Sequence, residues 1–186
     1  MRIEVSADAT TSTAELVITP PNPFGAYFAD KLECRMTIGV LTQLIAQARQ
    51  TVLLSAPFLQ PGFGIPDGPI TDAVKSALKR GVDVSVLSTV RGLHAIAVDD
   101  LRQASGGCLR LFSTAANMLD AQQLGSHAKF CLVDSETAYV GSANFTGPGL
   151  GRHLELGLLV SGEAAQKIDA LWKYGLEIGL FIPYAE

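Results

Sequence analysis

The order in which the apolar runs follow one another constrains this chain most. Up to about residue 112, helix-like and strand-like patterns alternate. After residue 127, three strand-like runs come in quick succession. Residues 37–50 place Leu41, Leu44, Ile45 and Ala48 at helical spacing, and residues 51–56 (TVLLSA) form a buried-strand run closed by Pro57. The loop 61–68 (PGFGIPDG) leads into a helix that has Pro69 in its first turn and Gly81 at its end. Ile70, Ala73, Val74, Ala77 and Leu78 lie on one face of it. A strand over 82–88, a helix over 93–104 and a strand over 108–112 continue the alternation. The crowded part then has strands at 127–133, 137–140 and 154–160. A last helix runs over 163–176, with Ala164, Ile168, Leu171 and Trp172 expected to face inward. Alternation followed by clustering predicts an α/β fold of the α+β sandwich kind, a mixed central sheet with helices on both faces.

At 186 residues the chain is long enough for one domain with a sizeable core. With 48% hydrophobic and 17% charged residues it is globular, and the low charge points to buried or self-associating apolar surface. No apolar run approaches the ~18 residues of a membrane span. The N-terminus, with Glu4 and Asp8, lacks the basic-then-apolar pattern of a signal peptide. Asp and Glu outnumber Lys and Arg 18 to 14, a net charge of −4, so bulk charge gives no attraction to nucleic acid and any phosphate site must be local. Cys34, Cys108 and Cys131 share no metal-type spacing. Cys108 and Cys131 fall in strand-like stretches and are expected to be core thiols, in a reduced, cytoplasmic compartment. Residues 1–36, with a short strand at 15–19 stopped by Pro20-Pro21-Asn22-Pro23, read as an N-terminal segment of unclear role. Residues 37–186 read as a single domain without internal repeat.

One segment carries chemistry. His127-Ala128-Lys129 is followed by Asp134 and then by Gly141-Ser142-Ala143-Asn144, a pattern H-x-K-x4-D-x6-G-S-x-N. On a strand, His127 and Lys129 are two apart and point to one side, with Ala128 to the other. Asp134 falls where this strand turns into the next. Gly141 to Asn144 end that next strand, offering a small residue, a hydroxyl and an amide. Imidazole can attack or shuttle protons, while ammonium and amide can hold non-bridging oxygens, so the set suits a phosphoryl centre.

The string resembles the signature of the phospholipase D superfamily, matched complete and at the family's spacing. Asn144-Phe145-Thr146 and the acidic residue in His153-Leu154-Glu155-Leu156-Gly157 also look like that family. The run Val52-Leu53-Leu54 into Ser55-Ala56-Pro57-Phe58, with RHLELGLLV, is similar to small bacterial phospholipase-D-like proteins, most of all to the DrmC component of DISARM-type phage defence. The resemblance implies catalysis by two H-x-K motifs facing one another. One His forms a phosphohistidine, and the other protonates the leaving oxygen and then activates water. This sequence has one such motif, because His94 and His153 are not followed by Lys at +2. The implied site is therefore shared by a homodimer related by a two-fold axis.

In that picture His127, Lys129, Asn144 and Glu155 are the catalytic residues. Lys129, Asn144 and Ser142 hold the substrate's phosphoryl oxygens, and Glu155 orients an imidazole. Asp134 and Gly141 are structural. The resemblance implies no cofactor and no metal, protein cations standing where other nucleases place Mg2+. Ser142 also reads as a plain turn residue. Arg152 and His153 read either as the rim of the site or as loop residues in water. The segment from Arg91 to His94 reads as a substrate-contact loop or as a plain helix entry. Three functions stay open. The first is a nuclease acting in phage defence with other defence-system proteins as partners. The second is a phospholipid phosphodiesterase or phosphatidyl transferase, and the third is a weakly catalytic assembly subunit.

Overall fold

The structure is a computed structural model and describes residues 2–5, 12–64, 68–96, 98–103, 108–115 and 126–184. In chain order its elements are β1 (Arg2–Val5), β2 (Ser12–Thr19), α1 (Gly25–Leu32), β3 (Arg35–Met36), α2 (Thr37–Gln47), β4 (Thr51–Ser55), α3 (Pro69–Lys79), β5 (Asp83–Leu87), α4 (Val90–Ala95), α5 (Val98–Gln103), β6 (Leu109–Thr114), β7 (Phe130–Val133), β8 (Thr137–Gly141), α6 (Gly147–Gly151), β9 (Glu155–Ser161), α7 (Glu163–Glu177) and β10 (Phe181–Pro183). The strands form one sheet in the order β1-β2-β9-β8-β7-β4-β5-β6-β10, with β3 paired to β2. β4, β5 and β6 are parallel, as expected of strands joined through helices. From β4 outward through β7, β8, β9, β2 and β1 every pairing is antiparallel. The sheet is therefore mixed.

Strand alternation sorts the core into two layers. Val52 and Leu54 of β4 join Val84, Val86, Cys131 and Val133 under α2 and α3. Leu53 faces the other way, with Leu87, Phe112, Phe130 and Leu132 under α7. On that side Trp172 meets Phe112 edge-on at 4.9 Å and stacks on Phe181 at 5.2 Å. Helices thus cover both faces. Cys131 is fully buried in the first layer, and burial pushes its thiol pKa up to about 12.

Some expectations need correction. α7 buries Ala165, Trp172 and Gly175, with Ile168 packed beside them, whereas Leu171 is exposed and Ala164 half-buried. The face is turned because Gly175 lets the Phe181 ring approach: a Cβ there would lie 2.3 Å from the ring. The helix expected over 93–104 is two helices, α4 and α5. Thr89 caps the first, and Ile96 takes an extended backbone while burying its side chain; Ala104 lies outside the described residues. Cys108 is an exposed thiol, not a core one, since it sits just before β6, where its N–H donates to Asp83. His127 and Lys129 precede β7, which starts at Phe130, although the N–H of Gly141 still donates to the Lys129 carbonyl at 3.1 Å. Residues from within 1–36 supply β1, β2 and β3 of the same sheet, β2 pairing with β9 along six residues.

Asp134 locks this arrangement. It and Ser135 have φ of 52° and 58°, the left-handed pair that tight hairpin turns need and that Asp tolerates. Its carboxylate accepts the N–H groups of Arg49 at 2.9 Å and of Gln50 and Thr51 at 2.8 Å, tying the β7–β8 turn to the start of β4. Partial burial would raise its pKa, but these three backbone bonds and the Arg49 charge outweigh it and hold the carboxyl below the usual carboxylate range. A depressed folded-state pKa contributes stability above the unfolded value of about 3.9 that is lost as pH falls through the folded one. We expect Asp134→Asn to cost about 2 kcal/mol at neutral pH by urea denaturation, and the difference from the parent to shrink toward the acid end. A constant difference down to pH 2 would contradict this account.

Candidate active site

The candidate site residues gather at one end of the strands. His127 is exposed and Lys129 is 6% exposed, just before β7. The Lys129 ammonium lies 3.1 Å from His127 Nδ1 and donates to the His127 carbonyl at 2.9 Å, so the expected shared side is found even though His127 lies outside the strand. An ammonium only donates, so the ring nitrogen facing it must present its lone pair. Burial lowers the Lys129 pKa, and the Glu155 carboxylate works in the opposite direction. Ser55 at the end of β4 donates to the Ala128 carbonyl at 3.1 Å, fixing the backbone between the two motif residues.

Glu155 starts β9. It accepts a hydrogen bond from Ser142, whose oxygen accepts from the Leu156 N–H at 3.1 Å. His153, largely exposed, places its Nδ1 3.9 Å from the same carboxylate. Within one chain Glu155 is thus held by Ser142 and faced by His153, and no direct bond to His127 is found among the described residues. Asn144 follows β8 and is half-buried. Its Oδ1 is fully buried and has no protein partner among the described residues. The turn of α6 folds over it, which requires Gly149: a Cβ there would lie 2.6 Å from the Asn144 carbonyl.

Gly141 pairs with Gly157 across β8 and β9, and the buried Tyr139 ring lies over both. A Cβ would come within 2.3 Å of Tyr139 at position 141 and 2.4 Å at position 157. The motif glycine is therefore a packing requirement. Gly157 shares that requirement, and its place opposite the motif glycine signals it only once strand pairing is known. Asp134 lies at the far end of β7 from His127, in keeping with a structural part. The segment from Arg91 to His94 is a helix entry, with His94 hydrogen-bonded to Tyr184. Phe58 was not singled out in the sequence as a site residue, yet its ring meets the His127 ring edge-on at 6.4 Å. Next to this end, Val140, Leu156, Leu158 and Leu16 form an exposed apolar strip on neighbouring strands, beyond the reach of α7.

The family described as "Cardiolipin synthase, PLD-like domain" matches residues 41–174. The chain belongs to the phospholipase-D-like family. Among curated relatives it is 28% identical over 127 residues to cardiolipin synthase 1 of Staphylococcus aureus, covering 68% of this chain and 24% of that protein. It thus spans about a quarter of that relative's length. Among solved structures it is similar to NucT from Helicobacter pylori, with a TM-score of 0.66 at 18% identity over 93% of this chain and 99% of that one. The phospholipase D family member Nuc from Salmonella typhimurium has a TM-score of 0.62 at 20% identity, over 94% and 99%. The phospholipase-D-like fold is shared throughout. Among the described residues no helix is long and apolar enough to cross a membrane.

The coupling of Lys129 to Glu155 has a direct test. Glu155→Gln removes the charge that favours the ammonium, so the Lys129 pKa falls further, as followed by NMR of lysine labelled at Cε. Lysine is charged below its pKa, so the alkaline limb of any activity that needs the ammonium moves to lower pH in this variant. An unchanged Lys129 titration would show that the two groups are not coupled.

Proposed function

We propose that this chain is a metal-independent phosphodiesterase acting through a phosphohistidine on His127, that two copies share one site, and that nucleic acid is its substrate. The observation that carries the reading is the exposed His127 imidazole with a buried Lys129 ammonium 3.1 Å away, inside the family's motif. His127 of one copy attacks phosphorus, and the bond from phosphorus to the leaving oxygen breaks. His127 of the second copy gives that oxygen its proton. The same ring then takes a proton from water, whose oxygen attacks phosphorus and breaks the P–N bond, restoring both residues. Lys129 holds the developing charge on the non-bridging oxygens, and the NH2 group of Asn144, the donor end of an amide whose oxygen is buried, supplies a further hydrogen bond there. Ser142 fixes the Glu155 carboxylate, which is free to orient a ring at the two-fold axis.

The single motif in this sequence supports a shared site. So does the apolar strip of Leu16, Val140, Leu156 and Leu158, which lies beside Ser142 and Glu155 and suits a self-complementary contact. The resemblance to the DrmC component supports a cytoplasmic, antiviral-defence setting with other defence-system proteins as partners. The cardiolipin synthase relatives favour a second reading, transfer or hydrolysis at a phospholipid diester. A panel of single- and double-stranded DNA, RNA and phospholipid vesicles separates the two. Turnover of vesicles alone would replace the first reading by the second.

His127→Ala should abolish turnover while leaving the fold intact by circular dichroism. Lys129→Ala should lose about 100- to 1,000-fold in kcat. Activity should survive EDTA, and loss restored by Mg2+ would overturn the metal-independent mechanism. When wild type and His127→Ala exchange subunits freely, activity should fall as the square of the wild-type fraction. A linear fall would mean that one chain carries a whole site.

A further inference from the structure

Phe58 is a large apolar side chain left 46% exposed, and the fold holds it there from both sides. On its N-terminal side, the Pro57 carbonyl accepts the Thr89 hydroxyl at 2.7 Å, and Ser88 donates to the Ala56 carbonyl at 2.7 Å. Gly92 makes room for this clasp, since a Cβ there would lie 2.2 Å from the Ser88 hydroxyl and 3.3 Å from the Pro57 carbonyl. On its C-terminal side, Leu59 is buried and bridges to Phe145, the Gln60 N–H donates to the Phe145 carbonyl at 3.2 Å, and the Gln60 side chain accepts from the Gly147 N–H at 2.9 Å. The residue between these anchors cannot retreat into the core. Its ring stands edge-on to the exposed His127 ring at 6.4 Å.

We propose that Phe58 is a stacking platform for the base next to the scissile phosphate, which makes the site selective for single-stranded nucleic acid. This rests on the nucleic-acid reading of the site and narrows it. A base has an apolar face in every sequence and stacks on an aromatic ring without hydrogen-bond readout. A phosphate at His127 places the neighbouring nucleoside within a few ångströms, within reach of the half-exposed Phe58 ring 6.4 Å from the imidazole. In a duplex that base is already stacked and paired, so only a single strand or a frayed end can use the platform. The rigid mounting means that no loop has to order when the base arrives. A net charge of −4 provides no general polyanion attraction, so a stacked base would supply affinity that bulk charge does not.

The test uses the dimer in the His127→Ala background, with an oligothymidylate carrying one 2-aminopurine and a matching oligonucleotide abasic at that position. Stacking quenches 2-aminopurine. Phe58→Ala and Phe58→Leu should abolish the quench and weaken binding roughly five- to a hundred-fold, while Phe58→Tyr keeps both. The abasic oligonucleotide should bind all four proteins alike. Two results overturn the proposal and leave the nuclease reading standing. One is equal loss of base-bearing and abasic binding. The other is a dimer that Phe58→Ala splits by light scattering with no change in the quench, which makes the ring interface packing. If wild type turns over vesicles and neither binds nor cleaves any nucleic acid, the nuclease reading falls and the proposal falls with it, in every arm rather than in the Phe58 arms alone.

Discussion

The Asp134 carboxylate, gripping three successive backbone N–H groups at the start of β4, is the contact on which the rest of the structure depends. β4 and β7 meet at the seam between the parallel and antiparallel halves of the sheet. Side chains alternate along a strand, so a slip of one residue at that seam would exchange the two faces of β7. Leu132 would leave the α7 layer and Cys131 would enter it. Just before the other end of that strand, His127 and Lys129 would turn together to the opposite face. The turn therefore fixes the seam, and the seam fixes the chemistry about four residues on.

Lys129 is the costly residue in this design. A buried ammonium is disfavoured unless donors and charges are matched, and here it has the His127 carbonyl, a ring nitrogen and the nearby Glu155 charge. An ammonium with three donors still gains from an anion, and a phosphoryl group is one. Asn144 is in a comparable state, with a buried amide oxygen that lacks a protein partner among the described residues. That oxygen needs a donor such as a water, whereas the Lys129 ammonium is the group that an anion completes.

Much of this was legible because it rests on local pattern. The strand runs, the helix from Pro69 and the spacing of His127, Lys129, Asp134, Gly141 and Asn144 need only periodicity and turn chemistry. What escaped depends on residues far apart in the chain. The inward face of α7 is set by Phe181 meeting Gly175, and Cys108 is exposed because the sheet ends beside it. β2 reads as an isolated strand cut off by the prolines that follow it, yet its partner β9 lies more than 130 residues later. Phe58 stands in the run that resembles the family, but nothing local marks its ring as exposed beside His127. Only the folded positions of Ser88, Thr89 and Phe145 show why it stays outside.

Cys131 has a practical consequence. Its thiol is sealed in the motif strand and held far from its reactive thiolate form, whereas Cys108 is exposed at the opposite end of the parallel strands. A thiol reagent therefore reaches Cys131 only when β7 leaves the sheet. Its labelling kinetics clock the opening of the strand next to His127 and Lys129, separately from fraying elsewhere. A dye on Cys108 can at the same time follow the molecule without touching that strand.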